Sequence, residues 1–421
     1  MRKFFSFLSL MTIIALFGQI DTAQVKVPNR TNSAEAINKP YVILISADGF
    51  RSDYLKKYSA QNLLNFAETG VNAKAMIPSF PTLTFPNHWT ITTGLYPAHH
   101  GLIDNNFYDY KKEKFYAMSK KENAEDGSWY GGIPLWSLAE KQGMLSAAMM
   151  WVGSASDAAD ARPTYYYHYH EKFSPEEKVD KVINWLQLPE NVRPHMISLY
   201  FPEVDAAGHD HGPDSKEAEA AVHKIDEAVK NLVEKVKNLG LKNVNFIFVS
   251  DHGMVKIDKE NPIEIPEMLF DKNRFDFVNA QTLLRVVVKN PDEVKSVFKE
   301  LKKNKTADYV VFLDQRFPRK LNFSTKNDRF GRIGQIVLIP KAPKIFLEKG
   351  KYTSIGKHGY NPYQVSEMKA TFLAFGDAFK SGKTIGEFKN INIYPIVAEI
   401  LDLKITHEID GNSDTARKVL K

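Results

Sequence analysis

Four short pieces of the chain carry residues whose types could do metal chemistry. "YVILISADGF" holds Asp48 after its apolar run, and "EVDAAGHDHGP" holds Asp205-x-x-x-His209. "SDHGM" holds Asp251-His252, and "GKHGY" holds His358 between Gly356 and Gly359. Carboxylates and imidazoles in this mixture suit zinc, with manganese or iron as alternatives. Asp48, Asp205, His209, Asp251, His252 and His358 exceed what one catalytic zinc with an open position takes. They fit a pair of metals, each keeping room for substrate. Pro202, Gly208 and Gly212-Pro213 predict that Asp205 and His209 sit in a loop rather than at i, i+4 on a helix. His211 competes with His209 as a ligand. His88, His99, His100, His168, His170, His195, His223 and His407 are read as surface or core residues.

A nucleophile is available in "PSFPTLTFPNHWTITTGLYPAHHGLIDN", residues 78–105. Serine and threonine hydroxyls attack poorly at neutral pH unless a base or a metal removes the proton. A metal near Asp48, Asp251 and His252 would lower the pKa of a bound hydroxyl. Thr84 is the candidate, because it precedes the helical pattern "FPNHWTITTGL", whose start would offer free N–H groups to a phosphate. Pro86 suits the first helical turn. Thr82 lies on the approach, and Thr90, Thr92 and Thr93 fall inside the helix. Without the metal set, Thr84 would read as an ordinary helix cap.

The elements that must position these residues are legible as alternating patterns. "YVILISA", "HMISLYF" and "VNFIFVS" are continuous apolar runs, as expected of strands buried on both faces of a parallel sheet. Between them lie amphipathic patterns such as "KEAEAAVHKIDEAVKNLVEKVKNLG". The expectation is an α/β fold with a doubly wound, mostly parallel sheet, helices on both faces and inserted loop or lid regions. Asp48, Asp205 and Asp251 each follow the carboxyl end of an expected strand, where open α/β sheets place their ligand sites. Residues 261–350 are less regular and read as an insertion on one catalytic domain spanning 41–421.

Composition narrows the class further. Net charge is +6 over 421 residues, with 43% hydrophobic and 25% charged residues. The lysines are spread out, which argues against a nucleic-acid-binding patch. "MRKFFSFLSLMTIIALFGQIDTAQ" has a basic start, an apolar run from Phe4 to Phe17 and small residues near Ala23. It reads as a signal peptide over 1–23, followed by a polar linker at 24–40. The expected product is an exported protein, periplasmic or secreted, with no membrane span after signal removal. Cysteine is absent, which rules out a disulfide framework.

Taken together, "ADGFR", "PTLTFPNHWTITTGLYPAHHGLIDN", "FSPEEKVDKVINWLQLP", "FPEVDAAGHDHGP", "SDHGM" and "KHGY…ATFLAFG" resemble the nucleotide pyrophosphatase/phosphodiesterase family of the alkaline phosphatase superfamily. The resemblance runs from Tyr41 to the C-terminus and implies an alkaline-phosphatase-like fold and two zinc ions. Carried over by motif, one site would comprise Asp48, Thr84, Asp251 and His252, and the other Asp205, His209 and His358. Asn105 would bind a phosphate oxygen, while Phe85 and Tyr169 would flank a nucleobase, with neighbouring tyrosines as alternatives to Tyr169. Asn361 stands where the family often has aspartate. The implied reaction cleaves a small-molecule phosphodiester or nucleotide through a phosphothreonine. The rivals are a phosphomonoesterase, for which Arg162 could supply a cation, a lysophospholipid or choline-type phosphodiesterase, and an exported nucleotide- or phosphate-binding protein. Oligomeric state is left open.

Overall fold

The computed structural model describes residues 22–421. The expected signal peptide therefore lies almost wholly outside the described residues. A nine-stranded sheet forms the centre. Its order is Val25–Lys26, Tyr165–Tyr167, Ser146–Met149, Met196–Phe201, Tyr41–Ala47, Val244–Val249, Phe372–Gly376, Val71–Ala73 and Lys383–Ile385. The five strands from Tyr165–Tyr167 to Val244–Val249 are mutually parallel. Phe372–Gly376 then runs antiparallel to its neighbours.

The apolar runs are continuous because both faces are covered. Side chains alternate across a strand. Val42 and Leu44 enter one core with Trp89, Leu135, Trp136 and Ile396 from helices Thr84–Thr93, Leu135–Lys141 and Ile393–Ile400. Ile43 and Ile45 enter the other, with Leu63, Val179, Val182, Val222 and Ile225 from helices Gln61–Thr69, Pro175–Leu186 and Lys216–Asn238. No helix among the described residues is long and apolar enough to cross a membrane.

Within the irregular region, Phe275–Asn279, Leu284–Val288, Ile336–Pro340 and Tyr309–Leu313 form a separate antiparallel sheet in that order. Helix Val294–Asn304 packs Val297 and Leu301 into its own small core with Val286 and Leu338. Residues 24–40 depart from the expectation of a linker. Val25–Lys26 adds an antiparallel edge strand to Tyr165–Tyr166. Buried Asn32 accepts from Leu145 N–H at 2.8 Å and donates to the carbonyls of Glu190 and Arg193 at 2.9 and 2.7 Å. Most of the segment is exposed, and it is Asn32 and the edge strand that tie it to the sheet's margin.

Candidate metal centre and active site

The carboxyl ends of the central parallel strands bring the sequence-predicted ligands together. Asp48 follows strand Tyr41–Ala47, and Asp251-His252 follows Val244–Val249. All three are buried, at 1% exposure or less. His252 Nε2 lies 3.0 Å from Asp251 Oδ2 and 3.4 Å from Asp48 Oδ1. Asp48, Asp251 and His252 form one candidate metal cluster, and Asp205, His252 and His358 a second. His209 adjoins the second, its Nε2 3.4 Å from Asp205 Oδ2 and 3.1 Å from His358 Nε2. The rings of His252 and His358 stack with centroids 3.6 Å apart, so the two clusters share a wall.

The segments that carry these candidate ligands need a tight backbone. Gly49, at φ +69°, turns the chain immediately after Asp48. A Cβ there would stand 2.9 Å from the Cα of Asp205, so only glycine allows the two acidic segments to approach this closely.

Asp205 and His209 correct the loop expectation, because both lie on helix Glu203–His211. Pro202 is its N-cap and Gly212, at φ +96°, ends it. The apparent breakers bound a short helix instead of disrupting it. Gly208 inside it is close-packed, since a Cβ would meet Met254 at 3.2 Å. The i, i+4 spacing puts Asp205 and His209 on one face. His211, six positions after Asp205, projects from a different face and is exposed.

The donor set fits metal ions. Asp48 Oδ1, Asp205 Oδ1 and Asp251 Oδ2 are buried and lack hydrogen-bond partners among the described residues. Such orphaned carboxylate oxygens are costly unless a cation faces them. Burial, then the charges of Asp251 and Asp205, hold the Asp48 carboxyl well above its ordinary range. Asp251 is held below its range by His252 and His88, against the opposing effect of burial. The three imidazoles are oriented alike. Nδ1 of His209 meets Gly356 O at 2.8 Å, that of His252 meets Gly253 O at 2.9 Å, and that of His358 meets Thr82 O at 2.9 Å. A carbonyl at Nδ1 fixes the proton there and leaves the Nε2 lone pair available to an ion. Burial and the neighbouring imidazoles keep His358 neutral by lowering its pKa well below the ordinary value.

Thr84 is the first residue of helix Thr84–Thr93, and its Oγ1 lies 3.2 Å from His252 Nε2. The other hydroxyls of residues 78–105 are engaged elsewhere. Ser79 donates to Asn390, Thr82 to Tyr360 O, Thr92 to His88 O and Thr93 to Trp89 O, while Thr90 pairs with His100. The helix start offers fewer donors than its sequence suggests, because Phe85 N–H is taken by Asn105 Oδ1 at 2.9 Å and Pro86 has none. That same bond turns the amide NH₂ of Asn105 away from the helix. Phe85 is half-buried, with its ring edge-on to Tyr116 at 6.4 Å. Tyr165, Tyr166 and Tyr167 are buried in the sheet, whereas Tyr169 is 54% exposed and has its ring 6.3 Å from Tyr200.

Several residues at the site escaped the sequence reading. Tyr200 donates to Asp48 Oδ2 at 2.6 Å. His88, classed only as surface or core, is fully buried, pairs with Ser46 Oγ at 2.9 Å and lies 3.3 Å from Asp251 Oδ2. Its position four residues after Thr84 was the available signal. Thr82 donates to Tyr360 O and accepts from Gly359 N–H, both at 2.9 Å, so it staples the His358 loop. Thr82→Val should weaken metal retention at the Asp205/His209/His358 cluster by about 10–100-fold. Metal titration of the purified protein checks this, with the Asp48/Asp251 cluster as internal reference. Asn361 accepts from Tyr363 N–H at 3.0 Å in a local turn, which leaves His358 in place. Arg162 donates to Ala155 O at 2.9 Å and lies 3.9 Å from Asp157, and neither partner belongs to the candidate metal clusters.

The chain is similar to known proteins in sequence and in fold. The family model for type I phosphodiesterase / nucleotide pyrophosphatase matches residues 42–361. An uncharacterised pyrophosphatase/phosphodiesterase of Schizosaccharomyces pombe is 34% identical over 385 residues, covering 88% of this chain and 79% of that protein. Ectonucleotide pyrophosphatase/phosphodiesterase family member 1 of Rattus norvegicus is 34% identical over 380 residues, covering 86% of this chain and 41% of that one. The chain thus spans less than half of the rat relative's length. Murine ectonucleotide pyrophosphatase/phosphodiesterase 5 superposes with a TM-score of 0.82 at 28% identity, covering 90% of this chain and all of that one. An inactive threonine-to-alanine variant of that murine protein, solved in complex with AMP, gives the same TM-score at 27% identity. With its alkaline-phosphatase-like α/β fold, the chain belongs to the type I phosphodiesterase/nucleotide pyrophosphatase family.

Proposed function

We propose that the protein is an exported zinc-dependent phosphodiesterase that cleaves phosphodiester or phosphoanhydride bonds of nucleotides through a phosphothreonine at Thr84, releasing a nucleoside 5′-monophosphate. The observation that carries this reading is the Thr84 hydroxyl, uncommitted to backbone and 3.2 Å from His252 Nε2 beside the buried Asp48/Asp251 pair. Asp48, Thr84, Asp251 and His252 would hold one zinc, and Asp205, His209 and His358 the other. When bound, the ions lower the pKa of oxygen nucleophiles and neutralise phosphoryl charge.

Thr84 Oγ1 forms a bond to phosphorus in line with the leaving oxygen, whose own bond to phosphorus breaks; the threonine proton passes to solvent. Water then attacks the phosphothreonine, breaks its P–Oγ bond and releases the monophosphate. Two in-line inversions leave net retention at phosphorus. The Asn105 amide donates to a phosphoryl oxygen and stabilises the charge that builds there. Phe85 and Tyr169 offer ring faces to a nucleobase. The neighbour solved with AMP supports a nucleotide substrate, and relatives named as ectoenzymes and venom enzymes support export.

A phosphomonoesterase would need another cation for the extra charge of its substrate. Arg162, the candidate, is engaged by Ala155 and Asp157, which favours the diester. The test compares bis-(p-nitrophenyl) phosphate with p-nitrophenyl phosphate on signal-free protein, before and after chelation and zinc return. A diester preference that disappears with chelator and returns with zinc is expected. Monoester preference would overturn the assignment, and no turnover of either by metal-loaded protein would favour a binding protein.

A further inference from the structure

Asn105, within residues 101–109, immediately precedes strand Asn106–Asp109, which pairs with Lys114–Ala117, and its Oδ1 accepts from Phe85 N–H at the start of helix Thr84–Thr93. Two buried guanidinium groups from the inserted region hold the backbone of the same segment. Arg285, on strand Leu284–Val288, is 3% exposed. Its Nη2 donates to Asp104 Oδ2 at 2.8 Å and to Asn106 O at 3.0 Å, and its Nη1 to Arg332 O at 3.3 Å. It therefore grips both immediate neighbours of Asn105. Arg332, 1% exposed, secures the ends of the same segment. Its Nε donates to Asp109 Oδ2 at 2.8 Å, and its Nη1 to Gly101 O at 2.7 Å and Trp129 O at 2.9 Å. Asp104 also accepts from Asn106 N–H at 3.3 Å, which tightens the turn around Asn105.

The same inserted strand reaches the other side of the site. Buried Thr282, just before it, donates to His358 O at 2.9 Å. One short stretch, residues 282–285, therefore touches both the loop of a candidate metal ligand and the turn of the phosphate-contacting amide.

We infer that Arg285 is a positioning residue for catalysis: through the Asp104 carboxylate and the Asn106 carbonyl it fixes where the Asn105 amide meets the phosphoryl group, so the insertion is part of the catalytic apparatus. The inference rests on the assignment of Asn105 to a phosphoryl oxygen. The physical reason is geometric. A transition-state donor is effective only if it is already held at its working distance; the Phe85 N–H fixes one end of the Asn105 amide, and the backbone that carries the side chain must be fixed as well. A planar guanidinium that binds two acceptors across the turn supplies that rigidity, which a lysine's single ammonium cannot reproduce.

The experiment is a double-mutant cycle on the zinc-loaded enzyme with Arg285→Lys, Asn105→Ala and the pair, assayed with bis-(p-nitrophenyl) phosphate. Zinc content and thermal midpoint are recorded for each variant. Arg285→Lys keeps the buried charge and so guards against a misfolded protein; Arg285→Gln is run beside it. The expected result is a fall in kcat of about 10–100-fold for Arg285→Lys, with KM changed much less and zinc content unchanged. In the Asn105→Ala background the same change should cost less than about 3-fold, because its target is gone. The affinity for inorganic phosphate, measured by calorimetry, should follow the same non-additive pattern. Equal losses in both backgrounds would overturn the positioning role and leave Arg285 a stabiliser of the fold. If Asn105→Ala alone leaves kcat intact, the assignment of Asn105 itself fails, an outcome distinct from failure of the clamp.

Discussion

Thr84→Ala should reduce turnover of a diester by roughly 10⁴-fold or more, the usual scale for loss of a covalent nucleophile. The argument rests on the lack of a substitute. Five neighbouring hydroxyls are committed to Asn390, Tyr360 O, His100, His88 O and Trp89 O, and none is free to take over. The loss should fall on kcat, with substrate affinity largely kept, because Asn105 and the ring faces of Phe85 and Tyr169 remain. Thr84→Ser should retain measurable turnover, reduced because serine lacks the β-branch that restricts χ1. Acid quenching during steady state with a ³²P-labelled substrate should trap label on the wild-type chain and none on the alanine variant. Full activity in Thr84→Ala would end the phosphothreonine mechanism.

The second large effect concerns stability and its dependence on metal and pH. Asp48 faces Asp251 and Asp205 in a buried site, and its folded pKa lies well above the ordinary 3.8. In metal-free protein the folded state therefore holds this proton more tightly than the unfolded chain does. By linkage, that contribution to stability is complete below 3.8 and disappears as pH rises through the folded value. Asn is the neutral isostere and makes no such demand, and Tyr200 can still donate to it. Metal-free Asp48→Asn should thus be more stable than metal-free wild type at pH 7.5, by about 1–3 kcal/mol, the common cost of an unsatisfied buried group. The gap should close as pH falls towards 4. Saturating zinc should reverse the ranking, because only wild type presents the full carboxylate set and binding to the folded state stabilises it by mass action. Urea titrations at several pH values, with chelator and with zinc, check both signs. A wild type that is the more stable form under chelation would contradict the reading of an electrostatically strained, cation-requiring site.

Much of this was legible in the chain for one reason. Strands such as Tyr41–Ala47 are buried on both faces, so they appear as unbroken apolar runs, and Asp48 and Asp251 fall at their carboxyl ends, where an open parallel sheet exposes its crevice. Helix Glu203–His211 was misread because local breakers were given more weight than tertiary packing. Gly208 lies where Gly356 crosses closely, a Cβ on Gly356 standing 2.3 Å from Gly208 O, and neither residue announces the other in sequence. In the segment 24–40 the polar pattern matches its exposure, but it does not reveal Asn32, which spends its polar groups on backbone far along the chain. Tyr200 and Arg285 were silent, and Thr82 was placed without a role, for a related reason. Each acts through partners far along the chain, and pairings of that kind leave no periodicity.

The bond between His358 Nδ1 and Thr82 O joins residues 276 positions apart. A chain that emerges N-terminus first presents Asp48 and Thr84 long before His358 exists to meet them. If the proposed ligand sets hold, a half-made chain has no complete ion-binding cage to fill in the wrong compartment. Loading then becomes a late event that certifies a finished fold, and its rate should follow the slow closure of long-range contacts rather than the supply of ions.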